Sequence, residues 1–203
     1  MDQPRIVLRP LDHADLNAIH AVVGDAAVMR FSLSGAKSRD ETEEFLQRAI
    51  SNYQEQGFGL LAVVHGADAT VIGYCGLLTQ AIDGKTELEV TYRLHPDYWG
   101  QGFGTEAASM ICDRAFACSL ARRLIAIIEP ENASSIRVAQ KIGMHFEREI
   151  VFRGQLPAHL YSVGISARSA PPTDGRSNDE IHDELKSRLV QLKSGKDPGQ
   201  TFP

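Results

Sequence analysis

Residues 98–107 read Tyr-Trp-Gly-Gln-Gly-Phe-Gly-Thr-Glu-Ala, with three glycines at alternate positions directly before an apolar-patterned segment. Glycine permits positive φ angles and lets the backbone approach a ligand without a Cβ in the way. The first four amides of a helix have no intrahelical acceptor, and the helix dipole adds partial positive charge there. Such a loop in front of a helix can hold a phosphate group, although a flexible turn that starts a helix would contain the same glycines.

The segments on either side of this loop predict a strand, a crossover helix and a second strand. Residues 87–94 have the alternation of a strand, and residues 105–119 carry an apolar helical pattern. Residues 124–128, Leu-Ile-Ala-Ile-Ile, form a continuous apolar run that is typical of a strand covered on both faces. A strand–helix–strand connection implies parallel pairing with a right-handed crossover.

The rest of the first 165 residues predicts further strands and helices around this unit. A capping box at Ser38 and Glu41 starts one helix, and Gly57 suits its end. Short turns between consecutive strands favour an antiparallel meander. The predicted strands are residues 6–9, 60–65, 71–79, 87–94, 124–128, 145–152 and 159–165, and the other helices start at Asp12 and span residues 132–142.

Composition limits the classes of function. The chain has 203 residues, which suit one domain plus a tail. A net charge of −5 and a pI near 5.8 argue against a nucleic-acid partner bound through a basic surface. Three cysteines without metal spacing and a start unlike a signal peptide predict a soluble, cytoplasmic protein. We expect no membrane partner, and no metal, because the histidines show no ligand-type spacing.

Composition also changes near residue 165. We therefore expect one domain over residues 1–165, a Ser-, Pro-, Ala- and Gly-rich linker over 166–178, and a C-terminal helix and tail over 179–203. A narrow apolar stripe on that helix could fold back on the domain or support a homodimer, and a solvated tail is the alternative. The stripe consists of Ile181, Leu185, Leu189 and Leu192.

A phosphate-holding glycine loop between two strands could serve a dinucleotide or coenzyme A. Residues 102–107 formally satisfy the dinucleotide fingerprint, and Glu129 ends the next strand. However, the residues from His95 to Trp99 separate the loop from its strand, whereas a dinucleotide loop leaves its strand at once. Three consecutive strands before the loop also differ from the regular alternation of that fold.

The second possibility rests on several motifs in order. They are residues 8–11 (Leu-Arg-Pro-Leu), 89–94 (Glu-Val-Thr-Tyr-Arg-Leu) before Pro96, 98–107, and 132–144 (Asn-Ala-Ser-Ser-Ile-Arg-Val-Ala-Gln-Lys-Ile-Gly-Met). Over about residues 5–165 the sequence resembles the GNAT acyltransferase superfamily, and within it the branch that acetylates the N-termini of ribosomal proteins. The resemblance implies an α/β fold whose mixed, mostly antiparallel sheet is flanked by helices and splayed between residues 87–94 and 124–128.

The resemblance also implies a site for acetyl-CoA in the splayed gap. The pyrophosphate would bind backbone amides of the loop, the pantetheine would pair with the backbone near Leu94, and Asn132 would reach the cofactor arm. Trp99 stands where the wider superfamily often has Gln or Arg, so backbone amides would hold most of the phosphate. The loop residues expected to contact the cofactor are Gly100, Gln101, Gly102, Phe103, Gly104 and Thr105.

Acetyl transfer to an amine needs a neutral nucleophile and a proton for the leaving thiolate. Glu89 is the expected base because its strand places it beside the gap, and Glu87 is a second choice; a solvated strand carboxylate is the alternative for both. Many superfamily members carry a tyrosine acid where this sequence has Ala139. Ser135 is the expected acid in its place, unless it is only a first-turn helix residue, and further options are Ser134 and Tyr161.

Together these features predict an acetyl-CoA-dependent N-acetyltransferase that works by direct attack, with a protein N-terminal amine as the favoured acceptor. A small-molecule amine acceptor, such as an antibiotic or polyamine, is one alternative. A non-catalytic CoA-binding module is another, since the usual tyrosine acid is missing. We expect residues 29–36, the first two helices and residues 153–157 to determine the acceptor.

Overall fold

The computed structural model of the protein describes residues 4–165, so the predicted linker (166–178) and the C-terminal helix and tail (179–203) lie outside the described residues. Within this range one seven-stranded sheet is flanked by four α-helices. The elements are β1 (Ile6–Pro10), α1 (Leu16–Val23), α2 (Arg39–Gln56), β2 (Leu60–His65), β3 (Val71–Ile82), β4 (Lys85–Leu94), α3 (Phe103–Ala117), β5 (Arg123–Ile128), α4 (Ala133–Lys141), β6 (His145–Phe152) and β7 (Leu156–Gly164).

The strand order in the sheet is β1-β2-β3-β4-β5-β7-β6. Neighbouring strands are antiparallel except β4 and β5, which are parallel and joined by α3. The predicted fold class, a mixed and mostly antiparallel sheet with one crossover helix, is therefore confirmed. The dinucleotide alternative is wrong, because that fold requires a largely parallel sheet.

Local capping explains where α2 begins and ends. The N–H of Glu41 donates to Ser38 Oγ at 3.2 Å, and the N–H of Ser38 donates to Glu41 Oε2 at 2.7 Å. Gly57 follows the helix with a φ of 74°, in the left-handed region that glycine adopts without strain. The predicted capping box and glycine stop are both confirmed.

Several predicted boundaries shift by a few residues. The β3–β4 strands continue up to Asp83 and Gly84, whose φ angles of 51° and 75° form a tight two-residue turn that lets pairing extend to the last strand residues. Strand β7 begins at Leu156, whereas the sequence pattern predicted residue 159. Helix α3 begins at Phe103, two residues earlier than predicted, because Gly102 already forms its N-cap.

The sheet buries apolar side chains on both faces. One face packs against α3, and the other against α1 and α2. Within β4, Leu88 and Val90 pack on the face that α3 covers. Leu78, which lies opposite Glu89 in the β3–β4 register, packs on the face that α1 and α2 cover. Consecutive β4 residues therefore face different helices.

The parallel β4–β5 contact is short. It consists of two register pairs, Leu88 with Leu124 and Glu89 with Ile125. Beyond them β4 continues to Leu94 in register with β3, while β5 continues to Ile128 in register with β7. The two strands diverge because each follows its antiparallel partner. The predicted splay in the sheet is confirmed, and we call this opening the wedge.

Candidate active site

The glycine loop, residues 100–102, connects a short 3-10 helix (Pro96–Tyr98) to α3. Gly100 and Gly102 have φ angles of +72° and +88°, which side-chain-bearing residues rarely adopt. The first backbone bond into α3 runs from Glu106 N–H to the Gly102 carbonyl at 3.0 Å. Among residues 4–165, the N–H groups of residues 100–105 donate to no protein acceptor. This row of free donors at a helix N-terminus suits an anionic group.

The third glycine of the motif has a different function from the first two. Gly104 lies in the first turn of α3, where its backbone is helical. A Cβ at this position would lie 3.3 Å from Cε2 of Tyr92, closer than most carbon atoms approach. Gly104 therefore favours close packing of α3 on β4 and is not needed for a positive φ.

Arg5, just before β1, binds a carbonyl group and a carboxyl group at the glycine loop and leaves the loop N–H groups free. Its Nη2 donates to the Gln101 carbonyl at 2.8 Å, and its Nη1 donates to Glu106 Oε2 at 3.1 Å. The guanidinium also lies over the Phe103 ring, 4.5 Å from its centroid. These contacts fix the loop while its N–H groups stay free. No pattern in the sequence pointed to Arg5, which lies far from the loop along the chain.

Trp99 contributes a specific hydrogen bond. Its indole Nε1 donates to the Leu94 carbonyl at 2.7 Å. That bond joins the end of β4 to the loop. The Leu94 carbonyl keeps a second lone pair for a ligand. Its predicted contact with a pantetheine arm stays a prediction.

Glu89 lies where β4 and β5 separate. Gln80 Nε2 donates to Glu89 Oε2 at 2.7 Å, and the backbone N–H of Ile127 also donates to the carboxyl group. Ile127 lies two residues beyond the last β4–β5 pair. The carboxyl group therefore takes a backbone donor at the point where the ladder ends.

The surroundings of Glu89 raise the pKa of its carboxyl group to about 7. Burial is the main cause, since it disfavours the charged form. Hydrogen bonds from Gln80 and Ile127 and the positive charges of Arg93 and Arg153 lower the pKa and offset part of this effect. A carboxyl group with this pKa can exchange a proton near neutral pH.

Glu87, the second predicted base, has a different environment. Its Oε1 lies 3.3 Å from Nε of Arg123 on β5, and its side chain is 12% exposed. Arg123 also pairs with Glu147 at 2.8 Å. Glu87 lines neither of the two cavities at the wedge. The structure thus brings Glu89 to the site and holds Glu87 in an ion-pair network between strands.

Helix α4 begins at the wedge. Asn132 Oδ1 accepts from the Ser135 N–H at 3.1 Å and from Ser134 Oγ at 2.9 Å, which makes Asn132 the N-cap. The side-chain amide nitrogen of Asn132 takes part in neither of these bonds and can donate to a ligand. Ser134 donates to Asn132, whereas the hydroxyl oxygen of Ser135 accepts a hydrogen bond from a different partner.

That partner is Tyr92, which the sequence reasoning missed. The Tyr92 hydroxyl donates to Ser135 Oγ at 3.3 Å, and burial raises the pKa of Tyr92 to about 12. The phenol therefore stays protonated at neutral pH. Strand alternation could have placed Tyr92 on the face opposite Glu89, but its contact with Ser135 depends on how α4 packs.

The two other positions considered for the acid, Ala139 and Tyr161, do not supply a hydroxyl group to the wedge. Ala139 is buried on α4, where many superfamily members carry a tyrosine. Tyr161 on β7 packs against Phe146 and His159, with ring centroids 5.9 and 6.4 Å away. Tyr161 lines neither cavity. Tyr92 and Ser135 are the hydroxyl pair that the fold brings to the wedge.

Two cavities meet at the wedge. The first, of about 570 Å³, is lined by the glycine loop and the start of α3, and we call it the loop cavity. The second, of about 320 Å³, is lined by Glu89 and by the β6–β7 hairpin, and we call it the hairpin cavity. Both cavities are lined by Phe31, Tyr92, Arg93, Asn132, Ser135 and Val138. They form one cleft that crosses the sheet.

The segments predicted to determine the acceptor contribute in part. Ser32, Leu33 and Ser34 line the hairpin cavity, as do Arg153 and Leu156. Met29, at the start of the predicted segment, is buried in the core. Helices α1 and α2 contribute no lining residue to either cavity.

Neither a metal-binding cluster nor a membrane-spanning helix is present in the described part of the chain. Residues 4–165 contain no group of three or more His, Cys, Asp or Glu side chains arranged to hold a metal ion. No helix in the same range is long and apolar enough to cross a membrane.

Comparison with known proteins identifies the class. A family profile described as an acetyltransferase (GNAT) domain matches residues 5–145. The uncharacterized protein YkkB of Bacillus subtilis (strain 168) is 32% identical over 147 residues, covering 72% of this chain and 85% of that protein. The chain therefore belongs to the GNAT acetyltransferase family, as the resemblance predicted.

More distant relatives differ in the acceptors that their names describe. A spermidine N(1)-acetyltransferase of Escherichia coli (strain K12) is 26% identical over 148 residues, covering 72% of this chain and 76% of that protein. Among solved structures, the ribosomal-protein alpha-N-acetyltransferase RimL in complex with coenzyme A has a TM-score of 0.67. The identity to that structure is 19%, with 82% of this chain and 99% of that chain covered, so the likeness shows the fold alone.

Proposed function

We propose that the protein transfers the acetyl group of acetyl-CoA to a primary amine, by direct attack of the amine within a ternary complex. The observation that carries this proposal is the wedge, which has free backbone amides on one side and a carboxyl group on the other. The family assignment supplies the reaction class. Coenzyme A bound to the similar fold of RimL supports the choice of cofactor.

The residues of the loop cavity fit a diphosphate. The N–H groups of residues 100–105 would hold its oxygens, and the α3 dipole would favour their negative charge. Asn132 and the Leu94 carbonyl would contact the arm that leads into the wedge. Acetyl-CoA supplies an activated thioester to this site as a substrate. No metal ion is required by this arrangement of donors.

Glu89 would act as the base. It would take a proton from the attacking nitrogen, directly or through a water molecule, as that nitrogen bonds to the thioester carbon. A peptide α-amino group has a pKa near 7.7–8.0, so about a tenth of it is already neutral at pH 7. A carboxyl group whose pKa is about 7 is matched to that amine, because the two pKa values are close. Proton transfer between the two groups is therefore not strongly uphill in either direction.

Ser135, with Tyr92 behind it, would protonate the leaving thiolate. As the carbon–sulfur bond breaks, the electron pair stays on sulfur and the Ser135 hydroxyl gives it a proton. Tyr92 donates its proton to Ser135 Oγ and regains one from solvent. The pair would thus supply the function that a tyrosine at the position of Ala139 supplies in many superfamily members. This hydroxyl pair favours an enzyme over a non-catalytic CoA-binding module.

The favoured acceptor is a protein N-terminal amine. The exposed residues Leu33, Ser34 and Arg153 line the hairpin cavity, so an extended peptide could enter it from solvent. A small-molecule amine is the second candidate, because one relative is named as a spermidine acetyltransferase. Both acceptors would use the same wedge and the same Glu89.

The test combines binding and turnover. Calorimetry would measure acetyl-CoA binding, and thiol release would measure transfer to N-terminal peptides, lysine side chains and small amines. We expect acetyl-CoA to bind and peptide N-termini to give the highest kcat/KM. Tight cofactor binding without turnover on any amine would contradict acetyl transfer. Preferred turnover of a small amine would contradict the peptide acceptor only.

A further inference from the structure

Four charged side chains line the hairpin cavity. Two guanidinium groups, those of Arg93 and Arg153, line it together with two carboxyl groups, those of Glu89 and Glu129. The positive charges of Arg93 and Arg153 both act on the Glu89 carboxyl group. Arg153 lines the hairpin cavity but not the loop cavity, so its charge belongs to the side where an amine would enter.

The Arg153 side chain is available to a ligand. It lies at the tip of the β6–β7 hairpin, is exposed, and its guanidinium is 5.2 Å from the centroid of the Phe152 ring. Among residues 4–165 it forms no ion pair within 4.0 Å. Arg93 is half-buried and hydrogen-bonds to Tyr74. Arg153 is thus the freer of the two cations.

The carboxyl groups only partly balance these charges. Glu89 is partly protonated near neutral pH because burial raises its pKa to about 7. Glu129 is the second carboxyl group of the lining, and neither it nor Glu89 forms an ion pair with Arg153 within 4.0 Å. A polycationic acceptor would bring its second amine into a cavity that already holds two cations, and like charges in a partly buried site repel.

We propose that the hairpin cavity selects amines that carry negative charge close to the reacting amino group, with Arg153 as the main selecting residue and Arg93 as its support. In a peptide acceptor this charge would be an Asp or Glu side chain at the second or third position. The inference rests on the proposed function, since it assigns a substrate class to the same site. It disfavours spermidine-like polycations.

The experiment compares acceptors of different charge, with the Glu-Glu and Gln-Gln peptides as the pair matched in size. Three N-terminal peptides would carry Ser followed by Glu-Glu, Gln-Gln or Lys-Lys, and three small amines would be glutamate, ethanolamine and spermidine. Thiol release would give kcat/KM for each with the wild type, Arg153→Glu and Arg153→Gln. Arg48→Glu is the matched control, since Arg48 is an exposed residue of α2 outside both cavities.

We expect the wild type to prefer the acidic peptide over the basic one by about tenfold, a ratio typical of one partly screened charge pair. Arg153→Glu should reduce this ratio to about one or below, and Arg153→Gln should give an intermediate ratio. Arg48→Glu should preserve the wild-type ratio. Acetyl-CoA affinity should remain similar in all variants, because Arg153 does not line the loop cavity. Any change in the Glu89 pKa acts on all acceptors of one variant and therefore cancels in that variant's ratio.

Other outcomes separate the two proposals. A preference for glutamate without peptide turnover would support the charge selection and contradict the peptide acceptor. A preference for spermidine or the basic peptide, or an unchanged ratio in Arg153→Glu, would overturn the charge selection while acetyl transfer stands. Turnover of none of the six amines would overturn both.

Discussion

The hydroxyl group of Tyr92 on β4 donates to Ser135 Oγ on α4 at 3.3 Å, while Glu89 faces the opposite side of the same strand. An intact sheet would separate these groups. They reach one cleft because β4 and β5 stop pairing after Glu89 and Ile125. In the proposed function, the wedge would let the amine approach Glu89 from one face while the cofactor approaches Ser135 from the other.

The Tyr92–Ser135 pair gives a first prediction. Tyr92→Phe should lower kcat about tenfold, the equivalent of one lost transition-state hydrogen bond, with little change in acetyl-CoA affinity. Ser135→Ala should lower kcat at least as much. Because the two hydroxyls act in series, the double variant should resemble Ser135→Ala alone. Steady-state kinetics would measure this, and multiplicative losses would contradict a shared proton path.

Glu89 gives a prediction about pH. Its pKa of about 7 means that the carboxylate form is lost as pH falls below 7, so kcat/KM should fall there. Glu89→Gln should lower kcat/KM about 100-fold above pH 7, and the wild-type-to-variant ratio should shrink at lower pH. The titration of the acceptor amine cancels in this ratio.

Glu87→Gln is the matched control for that experiment. It removes one carboxylate from the same strand and weakens the ion pair with Arg123, but it leaves the hairpin cavity intact. Its pH profile should match the wild type. A ratio for Glu89→Gln that does not change between pH 5.5 and pH 8 would remove Glu89 as the base.

The glycine loop gives a third prediction. Gly102→Ala should destabilise the protein by roughly 1–2 kcal/mol, because a Cβ strains a φ of +88°. It should also weaken acetyl-CoA binding about tenfold, because the added Cβ would misplace an amide of the loop. One hydrogen bond from an amide to an anion contributes about 1.5 kcal/mol to binding. Thermal unfolding and calorimetry would measure the two effects.

Gly84→Ala separates strain from binding. Gly84 has a φ of +75° in the β3–β4 turn, and no atom lies within 4 Å of the position that a Cβ would take there, so the strain is similar and the site is distant. This variant should lose stability while its acetyl-CoA affinity stays at the wild-type value. Equal weakening of acetyl-CoA binding in both variants would contradict the loop assignment.

Arg5 gives a fourth prediction. Arg5→Ala removes the bonds to Gln101 and Glu106, so the loop should lose part of its fixed geometry. We expect roughly fivefold weaker acetyl-CoA binding, since exposed ion pairs contribute about 1 kcal/mol or less. At saturating acetyl-CoA kcat should be unchanged. A lower kcat with unchanged affinity would contradict a role in positioning the loop.

Sequence patterns predicted the order of elements because local signals determine them. The capping box at Ser38, the glycine after α2 and the apolar run of β5 all depend on residues close in the chain. The boundaries at Asp83 and Phe103 shifted because turn geometry decides how far pairing or helix extends. Those angles are not determined by apolar periodicity.

Contacts between residues far apart in the chain could not be predicted from the sequence. Arg5 and Gln101 lie 96 residues apart in the chain, and Tyr92 and Ser135 lie 43 residues apart, so both contacts form only when the domain folds. The predicted strand placed Glu89 beside the gap, but its raised pKa results from burial at the point where two strands diverge. Such effects depend on tertiary packing that no single segment encodes.

The most direct measurement is a crystal structure with acetyl-CoA bound. We expect the diphosphate oxygens within about 3 Å of the N–H groups of residues 100–105. The thioester should lie in the wedge, between Glu89 and Ser135. A diphosphate bound away from the glycine loop, or β4 and β5 paired along their full length with the thioester outside, would contradict the proposed site.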